Sequence, residues 1–405
     1  MKIEAVGLTR LQLVIMLTAL TAIGGIATNM YVPTLPDLTR DLGTTKAMAQ
    51  NTMSAYFAGV AIAQLFYGPL SDKYGRRPTL QFGLVLFVLA TALCALAPTI
   101  DLLIWARFAQ AAGACVGQVI MRAVVRDLFD RNETASMMAS ITLAIALAPA
   151  AAPIPGALIH MVLDWRWNFG FVAFAGVAIM LVSRRYLPET LKPEHRVSSG
   201  PIALVGGYKR LVLSPAYMGY SLCSMFIFGL LFSFQANVPF IIIDELGYSP
   251  LEFALIGMVP IIGFVAGSFS AGRFTPRFGI DRMIRFGLIV TVFGATMIVT
   301  CALLLPLSAL SIMIPMSFIV LGMGMVFPNA SAAAVSVFPE IAGTSSALMG
   351  FLQMAGGGLA VTIVGAISDG SHVPMTYAML TFAVLAAVSS VVGGMFDKTR
   401  VTHSG

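Results

Sequence analysis

Arg107 is the residue whose type and place most demand chemistry. It is the only lysine or arginine that falls well inside an apolar block of the sequence. A cation at the centre of a membrane span costs at least about 2.5–3.5 kcal/mol on insertion scales, so it is kept for a purpose. At 3.6 residues per turn, Arg107, Gln110, Gln118 and Arg122 share one helical face, with Ala114 and Gly117 between them. Such a stripe faces protein or water, not lipid. At 1.5 Å per residue Arg107 lies roughly 9 Å from the outer end of its helix, so two readings stand. Either it serves a cavity or an ion-coupling site, or it snorkels outward or braces a neighbouring helix. Arg122 is expected at the inner end, pairing with Asp127 or Asp72.

Carboxylates are the other groups to consider, and none lies deep in an apolar block. Asp37, Asp41, Asp244 and Glu245 fall at block ends. Cys94, Cys115, Cys223 and Cys301 lie inside apolar blocks without a C-x-x-C pair, and the four histidines sit at block ends or in loops. Neither a metal site, a cofactor nor a disulfide frame is indicated. No intramembrane serine or cysteine has a base beside it, which argues against an enzyme.

Membrane helices must position these residues. Of 405 residues, 58% are hydrophobic and 10% charged, against roughly 25% charged in soluble domains. Mean hydropathy is +0.89. The apolar blocks suit spans of about 20 residues, and the alternating segments of a β-barrel are absent. Twelve helices are predicted, near 11–36, 47–69, 79–97, 100–122, 136–159, 167–187, 214–243, 251–274, 282–305, 307–329, 341–367 and 374–396. Residues 1–36 read as helix 1 and not as a cleaved leader. With both termini cytoplasmic, twenty of the 24 lysines and arginines face the cytoplasm. Three, Arg40, Lys46 and Arg166, face outward, while the acids divide ten to eight. That bias is the positive-inside rule, so the net charge of +6 reflects orientation and not a nucleic-acid partner.

A polar stretch over 188–213, containing Pro188, Pro193 and Gly200, divides the chain. The expected parts are a six-helix bundle over 1–190, a cytoplasmic linker over 191–213 and a second six-helix bundle over 214–405. Asp41-Leu42-Gly43 stands 204 residues before Glu245-Leu246-Gly247, and Gly68 and Gly75 stand 204 before Gly272 and Gly279. Duplicated halves are expected, and parallel repeats of this kind place a central cavity between them. The fold class is an all-α polytopic membrane protein with two pseudo-symmetric bundles.

The turn after the second helix reads Gly68-Pro-Leu-Ser-Asp72-Lys-Tyr-Gly75-Arg76-Arg77-Pro78. A positive turn explains the arginines but not Gly-Pro-Leu-x-Asp-x-x-Gly, which closely resembles the loop signature of the major facilitator superfamily. Ala27-Thr28-Asn29-Met30-Tyr31-Val32-Pro33-Thr34-Leu35-Pro36, the run from Arg107 through Gly113, Arg122-Ala-Val-Val-Arg126-Asp127, Leu187-Pro188-Glu189-Thr190-Leu191 and Pro328-Asn329-Ala330 narrow the resemblance. They look like the Bcr/CflA branch, the bicyclomycin- and chloramphenicol-resistance type. The resemblance implies a multi-pass exporter of small amphipathic drugs in the bacterial inner membrane, driven by proton entry; a monomer is expected. It also implies conformational gating by Gly68, Asp72, Gly75, Arg76, Arg122 and Arg126. A Gly-Pro-rich fifth helix belongs to the pattern; here it reads Pro149-Ala-Ala-Ala-Pro153-Ile-Pro155-Gly156, and the prolines are expected to kink it.

Asn29 departs from that pattern, because the position is commonly an aspartate that carries the proton. An amide cannot titrate. Three explanations stay open: an engineered Asp-to-Asn change, coupling through Asp37 or another mouth acid, or transport without protons. A buried amide still needs partners, so Asn29 is expected in the cavity near Arg107. Other cavity candidates are Tyr31, Tyr56, Gln64, Gln110 and Gln118 in the first half. In the second half they are Phe226, Phe232, Phe234, Gln235, Asn237, Asn329 and Gln353. Aromatic residues suit adaptable ligands, although most of the 27 phenylalanines simply pack helices or meet lipid. A specific metabolite importer on the same fold is the rival reading.

Overall fold

A computed structural model describes residues 9–129, 151–191, 201–369 and 371–396, with Met137, Ile141 and Ala148. Among these residues every regular element is helical. Eleven helical segments are long and apolar enough to cross a membrane. Half of the predicted fifth span, 136–159, lies outside the described residues, and Pro149 with it. Large apolar side chains such as Leu89, Phe174, Phe269 and Ile289 are exposed. That surface suits lipid and would be a liability in water.

The chain divides into two compact units, Met1–Ser199 and Gly200–Gly405. The first holds α1 (Arg10–Asn29), α2 (Leu35–Asp41), α3 (Lys46–Tyr74), α4 (Arg76–Ala95), α5 (Ile100–Leu128), α6 (Pro153–His160) and α7 (Arg166–Tyr186). Helix 1 does not run to residue 36 as predicted. It stops at Asn29, and a 3-10 turn over Val32–Thr34 leads into α2. Pro33 and Pro36 supply no backbone donor, which explains why the α-helical ladder breaks there. Thr45 and Thr99 start α3 and α5 by accepting hydrogen bonds from the N–H groups of Met48 and Leu102, the usual economy of an N-cap. Both helices run further than predicted, to Tyr74 and Leu128. Pro153 and Pro155 open α6, where a missing N–H removes little; helical Ala151 precedes a turn at Ala152.

Helix α5 packs along α3 and α4 and reaches α1. Small residues permit this. A Cβ on Gly117 would lie 1.9 Å from the Leu20 carbonyl oxygen, and one on Gly113 would lie 2.4 Å from the Phe87 nitrogen.

The second unit holds α8 (Pro201–Val212), α9 (Pro215–Pro239, continued by a wider π turn over Phe240–Glu245), α10 (Pro250–Ile256), α11 (Val259–Phe278), α12 (Ile280–Leu304), α13 (Ala309–Ser336), α14 (Ala342–Ile367) and α15 (Val373–Phe396). The predicted linker therefore contains a helix, α8. Leu211 is buried in the core, and Arg210 bonds Glu340 at 2.9 Å. Helix α9 packs on α14 and α15, and α13 packs on α11 and α12. Gly263 and Gly267 let α11 approach α13, since Cβ atoms there would meet the Ser317 and Leu321 carbonyl oxygens at 2.3 and 2.0 Å.

Among the described residues, the positive-φ positions are Gly43, Gly75, Gly247 and Gly279. They form two pairs separated by the same 204 positions that relate the sequence motifs. Each pair marks a turn that only glycine adopts without strain. The second half keeps the turn glycine but not the Asp72–Arg76 pair, because Pro276 and Ile280 occupy those positions.

Candidate functional site

The break in α1 generates the site. Where a helix ends, its last carbonyl groups lack intrahelical donors and carry the negative end of the dipole. Arg107, fully buried on α5, donates from one terminal nitrogen to the Ala27 carbonyl at 3.0 Å and to Gln110 Oε1 at 2.6 Å. Gln110 passes the bond on, its Nε2 donating to Thr91 Oγ1 at 2.9 Å. Three rings enclose the guanidinium: its central carbon is 4.4 Å from the Tyr31 ring centre, 4.3 Å from Tyr56 and 5.6 Å from Phe169. Cation–π contacts reach about 2 kcal/mol each when desolvated, and a guanidinium tolerates burial better than an ammonium.

The rings are themselves tethered. Tyr56 donates to the Gly24 carbonyl at 2.8 Å, and Tyr31 shares a hydrogen bond with Thr52 at 3.0 Å. Phe169 packs on Tyr31 and on Trp165. Among the described residues, Nε and the second terminal nitrogen of Arg107 have no hydrogen-bond partner, and no carboxylate pairs with it. The positive charge is therefore held by a helix end and aromatic faces.

The structure thus brings together Tyr31, Tyr56, Arg107 and Gln110, but in an enclosed cage and not on an open cavity wall. All four side chains are buried. Through the Ala27 carbonyl, Arg107 ties α5 to the end of α1. Phe169, Thr91 and the Ala27 carbonyl were not foreseen. Gln118 and Gln64 are half-buried, and Arg122 is exposed, so the stripe on α5 passes from enclosed to open along its length. Asn29 is buried at the α1 break and donates from Nδ2 to the Gly25 carbonyl at 2.8 Å. An ionised aspartate could not make that bond.

Beyond the break, Asp37 on α2 bonds both Arg40 and His160 of α6. His160 Nδ1 is buried with no hydrogen-bond partner among the described residues. Asp41 accepts from Arg166 at 2.6 Å and from the Trp165 indole at 3.0 Å.

A second cluster occupies the opposite end of this unit. Gly75 turns the chain between α3 and α4, and Arg76 tucks back. It donates to Ser71 Oγ at 2.6 Å, to Asp72, and through Nε to Asp127 Oδ2 at 3.3 Å. Asp72 and Asp127 therefore serve Arg76, which corrects the expected pairing of Arg122. Neither Arg122 nor Arg126 forms an ion pair among the described residues. Glu189 and Thr190 join the cluster, although the sequence reading assigned them no role. The Leu187-Pro188-Glu189-Thr190-Leu191 motif marked the place but not the contacts.

In the second unit Asn329 accepts from Thr275 at 3.0 Å and donates to the Met325 carbonyl at 2.8 Å, so it ties α13 to α11. Asn237 donates to the Ser233 carbonyl at 2.9 Å. Phe232 packs on Gly357 and Phe228, and Phe226 stacks on Phe382. Gln353 and Phe234 are buried, and Gln235 is half-buried. Open apolar clefts of about 370 Å³ between α1 and α7, and of about 430 Å³ between α12 and α13, are lined by none of the candidate cavity residues.

Helices of this length around a buried cation fit a polytopic membrane protein. Residues 17–361 match the family described as Major Facilitator Superfamily, and the chain belongs to that superfamily as a multi-pass protein of the bacterial inner membrane. It is 29% identical over 405 residues to Multidrug resistance protein D of Escherichia coli, covering 97% of this chain and 98% of that one. It is 27% identical over 361 residues to the Bicyclomycin resistance protein homolog of Haemophilus influenzae, covering 89% and 90%. These similarities agree with the Bcr/CflA branch. The structure of a D-xylose-proton symporter is similar in fold, with a TM-score of 0.77 at 14% identity, covering 95% of this chain and 97% of that one.

Proposed function

We propose that the chain exports small amphipathic drug-like molecules by alternating access, driven by proton entry. Twelve helices complete the reading, with 136–159 as the fifth span and both termini cytoplasmic. The lysine and arginine bias supports that orientation, which puts the Arg76 cluster inside and Asp37 with His160 outside. The names of the multidrug- and bicyclomycin-resistance relatives support the substrate class. The bundles 1–190 and 214–405, joined through 191–213, form the moving halves, and the exporter works as a monomer in the lipid bilayer.

The observation that carries the reading is Arg107 caged at the α1 break. A charge held there by helix-end carbonyls and ring faces responds to any change in the bend of α1. A substrate or proton that alters the bend therefore acts on the α1–α5 contact. The remaining candidates, Gln64, Gln118, Phe232, Gln235, Asn237, Asn329 and Gln353, are proposed to meet substrate at some stage of the cycle.

The test is made in cells stripped of their own pumps. Expression of the chain raises resistance to chloramphenicol and lowers ethidium accumulation, and a protonophore abolishes both effects. Unchanged accumulation of ethidium and chloramphenicol would remove drug export as the function.

Two further outcomes are expected. Asn29→Asp, when ionised, loses the bond to the Gly25 carbonyl and sets a carboxylate at the negative end of α1. The variant therefore carries a titratable group in α1 that the native chain lacks, and the pH profile of its transport differs from that of the native chain. Identical pH profiles would contradict this. Asp72→Asn weakens the hold on Arg76 and slows turnover several-fold at saturating drug. Unchanged turnover would make that turn a topological feature alone.

A further inference from the structure

The carboxylate of Glu189, in the segment after α7, receives three backbone N–H groups. They are those of Arg76 at 2.9 Å, Arg77 at 3.2 Å and Leu191 at 3.0 Å. Arg76 and Arg77 are the first residues of α4, so the negative charge caps the positive end of that helix. The next residue, Thr190, donates from its hydroxyl to Asp127 Oδ2 at 2.8 Å. That same oxygen takes the bond from Arg76 Nε. Arg77 closes the contact from its side by donating to the Arg184 carbonyl of α7 at 2.7 Å. The circuit runs from the α3–α4 turn through Arg76 to the end of α5, through Thr190 to the α7 end, and through Glu189 back to α4.

We propose that Glu189 and Thr190 form a clasp that positions Arg76 and Asp127 for the conformational cycle. The inner ends of α3, α4, α5 and α7 then move as one body. Without the clasp the turn still forms, because Gly75 and the Asp72 contact remain. Arg76 then loses its orientation toward Asp127, and the Asp127 carboxylate loses its second donor. Charge-assisted bonds of this kind are roughly twice as strong as neutral ones, and a shared acceptor makes their losses non-additive. This inference rests on the gating reading of Asp72 and Arg76 given above.

The experiment measures turnover and half-saturating concentration for ethidium in proteoliposomes of the full chain. The variants are Glu189→Gln, Thr190→Val, the double variant and Asp72→Asn. Glu189→Gln is expected to lower turnover about tenfold with little change in half-saturation, Thr190→Val to lower it less, and the double variant to be no worse than Glu189→Gln, as coupled residues behave. A plain helix cap would lower melting temperature and leave turnover per folded molecule alone, so melting is recorded for each. If Asp72→Asn slows turnover while Glu189→Gln does not, the clasp is overturned and the gating reading stands. If neither slows it, both fall. Effects of the two clasp variants that simply multiply would also overturn the clasp, because they would act independently. Should Glu189→Gln fail to fold, the pairing of Thr190→Val with Asp127→Asn supplies the same cycle. Losses that multiply there would equally reject it.

Discussion

Replacing Arg107 by alanine is expected to lower drug transport by about 100-fold, the scale on which misplacement of a functional group acts, while the protein still reaches the membrane. The change leaves the Ala27 carbonyl and Gln110 Oε1 without their donor and empties the space between Tyr31, Tyr56 and Phe169. An unsatisfied buried group costs about 1–3 kcal/mol, but the variant also sheds a buried charge that no carboxylate balances. The net loss of stability is therefore modest, and the loss of function is not. Arg107→Lys sharpens the point. Lysine keeps the charge, and its one nitrogen has donors enough for both acceptors, but it has no planar face to stack against the rings, so it too fails. Ethidium efflux from cells, normalised to the amount of protein in the membrane, checks both. A lysine variant that transports normally would show that charge alone matters, and a normal alanine variant would remove Arg107 from the mechanism.

The second large effect concerns stability. Gly117→Ala drives a Cβ to 1.9 Å from the Leu20 carbonyl oxygen, a backbone atom that cannot swing aside. Helices α1 and α5 must part, and overpacking of this kind costs about 1–3 kcal/mol or more. The cage is built across this same pair of helices, so Gly117→Ala lowers transport as well. Gly68→Ala is the matched control, since nothing lies within 4 Å of its Cβ and alanine is the better helix former by about 1 kcal/mol. Melting of the purified proteins is expected to fall by roughly 2–4 °C per kcal/mol lost for Gly117→Ala and to hold or rise for Gly68→Ala. Equal melting temperatures would mean that the α1–α5 contact is looser than the structure describes.

Arg107 was legible in the sequence because one cation inside an apolar block is conspicuous whatever surrounds it. Its stripe partner Gln110 was legible from helical spacing, and the turn at Gly75 from its motif. What surrounds Arg107 was not. Tyr31 and Tyr56 stood out as residue types suited to a cavity, yet sequence does not say which way a ring faces or whether it is enclosed. Phe169 is one of many phenylalanines. The Ala27 carbonyl becomes an acceptor only because α1 stops, and hydropathy averages straight across that stop despite Pro33 and Pro36. Helix α8 was hidden because Gly206 and Gly207 make its stretch read as linker. Glu189 was hidden because its three partners are backbone N–H groups, two of them more than a hundred residues away. The repeat was the most informative global signal, and the glycine pairs at 204 residues now carry the same unusual backbone.

The measurement that reaches the central claim most directly is the response of lumenal pH in acid-loaded vesicles of the native chain, reconstituted inside-out, when ethidium or chloramphenicol is added outside. Drug entry exchanged for exiting protons raises the lumenal pH, and a pH rise that depends on drug and disappears with Arg107→Lys is the predicted result. Drug exchange that proceeds with no change in lumenal pH would contradict proton-driven export.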